Sequence, residues 1–131
     1  MAVPDPRLGQ DAGALLRAGR ADEAARLYQR VAQANPRRAD AHNNLAVALK
    51  AAGRVKEAIE SYRRALKLDP GYVTARKNLA RALREINSHE EALSHLAKVF
   101  RDAPEEADTR AEIVETLAEM SFVKRSAIAR K

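Results

Sequence analysis

The sequence predicts an all-α chain of stacked helical hairpins, and three observations carry that prediction. Pro36, Pro70 and Pro104 stand 34 residues apart; Ala24, Ala58 and Ala92 keep the same spacing, each followed four residues later by Tyr28, Tyr62 or Leu96. A fixed period of this length marks an array in which one supersecondary unit buries its apolar face against copies of itself. The composition is 46% hydrophobic but 4% aromatic, and alanine leads among the apolar residues, which favours helix throughout. No stretch shows the apolar–polar alternation of a strand.

The 131 residues are one domain's worth of chain, long enough for a continuous core. Cysteine is absent, so disulfides and thiolate metal sites are excluded. The N-terminal MAVPDPRLGQDAG lacks a basic start and apolar run, and the apolar stretches fall short of the roughly 18 residues of a membrane span. A cytoplasmic protein without contact to a membrane is the expectation. The net charge is +6, from 24 basic and 18 acidic residues interleaved along the chain. The interleaving is that of solvated helix faces, and the excess favours an acidic partner over a basic one.

Aligned on the prolines, the repeats run 5–38, 39–72 and 73–106, with a remainder from Ala107. In the first, Ala12, Leu15, Gly19, Ala24, Tyr28, Val31 and Pro36 occupy the recurring positions. Asp11 stands where later units have Leu45 and Leu79, so the first helix should pack loosely. The second unit is clearest. Leu45, Ala46 and Leu49 give a first helix, roughly 39–52, one apolar face. Gly53 ends it, able to take the left-handed conformation of a C-terminal cap. Ala58, Ile59, Tyr62, Ala65, Leu66 and Leu68 carry a second helix to about 68, and Asp69-Pro70-Gly71 turns the chain. Ala46 and Ala58 are small where the two axes would cross closely.

In the third unit Leu79, Ala80, Leu83, Ala92, Leu96, Val99 and Pro104 repeat the pattern. Asn87-Ser88 replaces Gly-Arg, with Asn in the left-handed position, and Ser88-His89-Glu90-Glu91 reads as a capping box. The remainder starts as a capping helix, about 107–122, with Ile113, Val114 and Leu117 expected inward and Thr109, Glu112, Glu115 and Glu119 outward. Beyond it Phe122, Val123 and Ile128 sit among Lys124, Arg125, Arg130 and Lys131, read as a basic tail over 123–131.

No catalytic constellation is present: no Gly-rich phosphate loop, no Cys nucleophile, no metal-ligand spacing such as HExxH. His89 and His95 are six apart, which puts them on nearly opposite helix faces. A non-enzymatic protein without cofactor, metal or small-molecule substrate is expected.

On the recurring positions quoted above, the chain resembles the tetratricopeptide repeats over 5–106, with 107 to about 120 as the first helix of a fourth unit. The family's bulky aromatic early in the first helix is here Leu8, His42 or Arg76, so His42 should pack at the core or its rim. The resemblance implies a right-handed superhelical solenoid of antiparallel hairpins, three units and a capping helix, whose first helices line a concave groove.

The resemblance also implies which residues line that groove: the second, fifth, sixth, ninth and twelfth of each unit. These are Pro6, Gly9, Gln10, Gly13 and Leu16; then Asp40, Asn43, Asn44, Val47 and Lys50. In the third unit they are Thr74, Lys77, Asn78, Arg81 and Arg84, and in the fourth Asp108, Ala111, Glu112, Glu115 and Ala118. Gln10, Asn44, Asn78 and Glu112 give one polar side chain per unit. The column is similar to the asparagine ladder in the superhelical repeats of O-linked N-acetylglucosamine transferases, and its amides could bond successive peptide groups of an extended chain. Lys50, Lys77, Arg81 and Arg84 are expected to make the middle basic, with Glu112, Glu115 and Glu119 at an acidic far end. The Lys/Asn clamp that grips C-terminal carboxylates in some relatives is not matched, because Gly9 and Gly13, or Asn43 and Val47, stand at its partner positions. Binding of chaperone tails is therefore not expected.

A protein-interaction module holding an extended peptide or partner helix, acidic in its centre, is the function these residues favour. The alternatives are binding of nucleic acid or an acidic surface through groove and tail cations, and a self-associating scaffold or the front of a larger enzyme. Scarce aromatics argue against stacking on bases.

Overall fold

The computed structural model describes residues 7–129, without the side chain of Ile128. Pro6, Arg130 and Lys131 therefore lie outside the described residues. Seven helices follow one another with no strand among the described residues: α1 Arg7–Arg17, α2 Ala21–Ala34, α3 Ala39–Ala51, α4 Val55–Leu68, α5 Val73–Glu85, α6 His89–Asp102 and α7 Thr109–Ala129. They form two compact units that divide between Ala75 and Arg76.

In the unit before Arg76, α2 packs on both α1 and α3, and α3 packs on α4. Ala12, Ala24, Ala46, Ala48 and Ala58 are wholly buried, with Leu45, Ile59 and Tyr62 at 3% exposure or less. Small residues let the backbones approach, and the large ones fill the gaps beside them. As Asp11 predicts, α1 is the thinnest contributor: Ala12 is its one fully buried residue, and Asp11 itself is exposed. Leu68, the last residue of α4, is 41% exposed. Gly53 follows α3 at φ +81°, where the Gly53 N–H reaches the Lys50 carbonyl at 3.0 Å and the Arg54 N–H the Leu49 carbonyl at 2.9 Å. Those bonds satisfy carbonyls left over at the helix end. His42 packs as expected, 8% exposed, with Nε2 2.9 Å from the Pro36 carbonyl.

In the unit from Arg76 on, Leu79, Leu83, Leu96 and Val99 form the core, each at 1% exposure or less. Asn87 adopts φ +62° and repeats the Gly53 cap, with Ser88 N–H to the Leu83 carbonyl at 2.8 Å. The Ser88 half of the capping box is not formed: Ser88 is the N-cap of α6 by position, but its hydroxyl makes no cap hydrogen bond. Glu91 lies 3.8 Å from His95.

The register of α7 departs from expectation. Thr109, Glu112 and Thr116 are buried, whereas Val114 and Leu117 are 65% and 48% exposed. In earlier hairpins the same places, Ala46 and Leu49 or Ala80 and Leu83, sit in the core. There a second helix of the hairpin follows in sequence; α7 is the last helix of the described residues. The helix also continues to Ala129, through most of the segment expected as a tail.

Candidate functional site

Helix α3 is enclosed on most of its circumference. Its buried residues are Ala41, His42, Asn43, Leu45, Ala46, Ala48 and Leu49, so water reaches it mainly along one strip, Asp40, Asn44, Ala51 and the half-buried Val47, with Ala39 and Lys50 half-buried beside it. The residues of the strip recur at i, i+4 and i+7, one line along a helix. Helix α5 shows the matching strip of Thr74, Arg81 and Glu85, with Asn78 and Arg84 half-buried. On α1, Gln10 is exposed.

Three candidates are buried and have structural partners. Asn43 is 6% exposed, and its side chain bonds the Tyr72 hydroxyl. Burial, reinforced by Asp40, pushes the Tyr72 phenol above its ordinary pKa. Lys77 is 7% exposed; its ammonium donates to the Ala107 carbonyl at 2.8 Å and to the Glu106 carboxylate at 3.1 Å. Glu112, also 7% exposed, accepts from Arg81 Nη2 at 2.6 Å, while its Oε2 is buried without a donor.

The cations of α5 thus form a row of ion pairs with α7 and the segment leading into it. Arg84 donates to Glu119 at 2.5 Å and to Glu115 at 3.3 Å. His89, at the start of α6, lies 3.1 Å from the same Glu119 carboxylate. The Arg84 guanidinium, helped by His89, holds the Glu119 carboxyl below its usual pKa. Asn78 is tied in as well, its Oδ1 accepting from Arg81 Nη1 at 3.3 Å. The expected separation of a basic middle from an acidic far end therefore does not hold within this unit: both signs interlock in one row. His95 points elsewhere, its Nδ1 2.9 Å from Arg76 Nη1.

Glu106 and Glu119 were not singled out by sequence as partners of these cations, nor His89 as a partner of Glu119. The pairs Arg81–Glu112 and Arg84–Glu115 are each 31 residues apart, three short of the period, so the ninth and twelfth places of one unit meet the sixth and ninth of the next. Matching like positions one period apart would have paired Arg81 with Glu115 and missed both. Lys77, Asn78, Arg81, Arg84 and Glu112 are brought together in this row. Gln10, Asn43, Asn44 and Lys50 belong to the unit before Arg76.

Among the described residues no group of three or more His, Asp or Glu side chains is placed to hold a metal ion. No helix among them is long and apolar enough to cross a membrane. An open cleft of about 440 Å³ beside the start of α6 is lined by Asn87, His89, Glu90, Met120, Val123 and Lys124.

Two sequence profiles of the tetratricopeptide repeat match, one over residues 12–73 and one over 49–111. No curated protein is significantly similar in sequence. Among solved structures, the first such domain of human RPAP3 is similar with a TM-score of 0.85 at 20% identity, over 92% of this chain and 94% of that one. The first repeat domain of Spaghetti (RPAP3), bound to the HSP90 peptide SRMEEVD, gives 0.81 at 20% identity, over 87% and 90%. The second domain of human RPAP3, in complex with the HSP70 peptide SGPTIEEVD, gives 0.77 at 20% identity, over 83% and 91%. At that identity the likeness is one of fold. The profiles, the 34-residue period and the helical hairpins agree: the chain belongs to the tetratricopeptide repeat family.

Proposed function

We propose that this protein is a non-enzymatic interaction module that holds a peptide segment of a partner protein along the open strip of a first helix. The observation that carries the reading is the strip on α3. A helix buried on nearly all sides keeps Asp40 and Asn44 in water, with Val47 and Lys50 half-covered beside them. A polar, rigidly held strip of this kind supplies hydrogen-bonding groups without an ordering cost in the receptor. Two proteins of the same fold hold short peptides, which supports a peptide as the ligand class. Asn44 offers two donors and an acceptor, so it can bond the main chain of an extended ligand without reading its sequence.

The test is a pull-down from source lysate, with and without nuclease, using the wild-type chain beside Asn44→Ala/Asn78→Ala. The expected result is a protein band that survives nuclease and is lost with the variant, while helicity and melting stay nearly unchanged. Each lost neutral hydrogen bond should weaken binding by about 0.5–1.5 kcal/mol. A partner retained equally by the variant would sink the reading.

A second reading rests on where the positive charge lies. Thirteen basic and eight acidic residues precede Arg76, against eleven and ten from Arg76 on. Arg30 on α2 and Arg64 on α4, one period apart, are both exposed, as are Arg26 and Lys67. An acidic surface or nucleic acid docking there would bind with a steep salt dependence, about one unit of slope per phosphate contacted. A flat salt titration of binding would exclude it.

A further inference from the structure

Resting on the peptide reading above, we propose that Glu115 and Glu119 determine the charge of the ligand. By engaging the cations of α5, they set the edge formed by α5 and α7 for a neutral or basic peptide segment. Lys77, Arg81 and Arg84 fall at i, i+4 and i+7, and alone would give α5 a basic face. Each is already engaged: Lys77 by Glu106, Arg81 by Glu112, and Arg84 by both Glu115 and Glu119.

Exposure decides what an arriving ligand meets. The side chains of Lys77 and Arg84 are 9% and 15% exposed, while their partners Glu106, Glu119 and Glu115 are at 40%, 43% and 62%. Arg81 is the one cation of the row that is more open than its partner. Four carboxylates face three permanent cations, so the row holds one carboxylate more than it has permanent cations.

At Lys77 and Arg84, the two covered cations, an acidic ligand would have to replace a carboxylate that is already bonded. Such an exchange trades one charge-assisted bond for another of the same kind, and leaves the displaced carboxylate facing the ligand's own charge. A ligand amide, ammonium or guanidinium instead finds open acceptors. Glu115 uses one oxygen in a single 3.3 Å contact with Arg84, and a carboxylate can accept about four hydrogen bonds. Like-charge juxtaposition thus selects against acidic segments and open acceptors select for donors, the two halves of specificity.

The experiment selects peptides of about a dozen residues from a randomised displayed library on the full wild-type chain, on Glu115→Gln/Glu119→Gln, and on Asn44→Ala/Asn78→Ala. On the wild type, Lys and Arg should outnumber Asp and Glu in the enriched peptides by about tenfold, the scale of one charge-assisted contact. On Glu115→Gln/Glu119→Gln the preference should move toward Asp and Glu, because Arg84 is then uncompensated. Acidic peptides enriched on the wild type would overturn the inference and leave the peptide reading intact. An unchanged charge preference on the Gln variant would remove Glu115 and Glu119 as its determinants. No enrichment on the wild type beyond that on Asn44→Ala/Asn78→Ala would overturn the peptide reading itself.

Discussion

Arg81 and Glu112, 31 residues apart in sequence, meet at 2.6 Å from Nη2 to Oε1, and this pair joins α7 to α5. The two ends differ in burial, with the Arg81 side chain 43% exposed and that of Glu112 10%. The cost of breaking the pair is therefore asymmetric. Arg81→Ala leaves a carboxylate stranded away from water and should destabilise by about 1–3 kcal/mol. Arg81→Ala/Glu112→Gln, in which the stranded charge is gone, should recover part of that loss. Urea unfolding of the two variants decides it; equal stability would contradict the burial of a charged Glu112.

The Arg84–Glu119 pair sets an acid limit. Glu119 is held below its usual pKa chiefly by the hydrogen bond from Arg84, so the folded state binds its proton less readily than the unfolded chain. Stability from this group is complete above the unfolded value of about 4.3 and is lost as pH falls through the lower folded value. Asp40, held low by Arg38, adds to the same trend. Unfolding free energy should fall with pH below about 4.3, and Arg84→Gln should flatten that slope. An unaltered slope in the variant would remove Glu119 from the account.

Two left-handed residues make a paired test of the helix caps. Gly53 has open space where a Cβ would sit, so Gly53→Ala pays for backbone conformation alone, about 1 kcal/mol. Asn87 at φ +62° already carries a side chain there, so Asn87→Gly should be neutral or stabilising within a few tenths of a kcal/mol. Thermal melts separate the two; a stabilised Gly53→Ala would contradict the left-handed cap.

The register of α7 is checked by contrast. Val114→Ser and Leu117→Ser replace exposed side chains and should change stability by about 0.5 kcal/mol or less. Leu79→Ala and Leu83→Ala empty sites that are 1% exposed and should cost about 2–5 kcal/mol. Large losses at Val114 and Leu117 would restore the inward orientation that the repeat pattern alone suggests.

Much of the fold was legible in the sequence because period and residue size are local properties. Gly53 and Asn87 stand one period apart and take the same left-handed turn; Ala46, Ala58, Ala80 and Ala92 are all wholly buried at their crossing positions. Of the five α3 positions that the resemblance names, Asp40 and Asn44 are exposed, Val47 and Lys50 are half-buried, and Asn43 is buried. Side-chain partnership was not legible. Asn43, beside Asn44 in sequence, turns inward to Tyr72, and nothing in the spacing of the two amides says which stays in water.

The sequence by itself determined the repeat, the helices within it and the left-handed turns at Gly53 and Asn87, since each follows from propensity, turn chemistry and apolar periodicity within one unit. Tertiary structure alone decided the state of the charges. Lys77, Arg81 and Arg84 read as a basic stripe along one helix, yet Glu106, Glu112, Glu115 and Glu119 reach them from 29 to 35 residues away. Electrostatic energy depends on distance and burial between side chains, and those exist only once α5 and α7 are folded together.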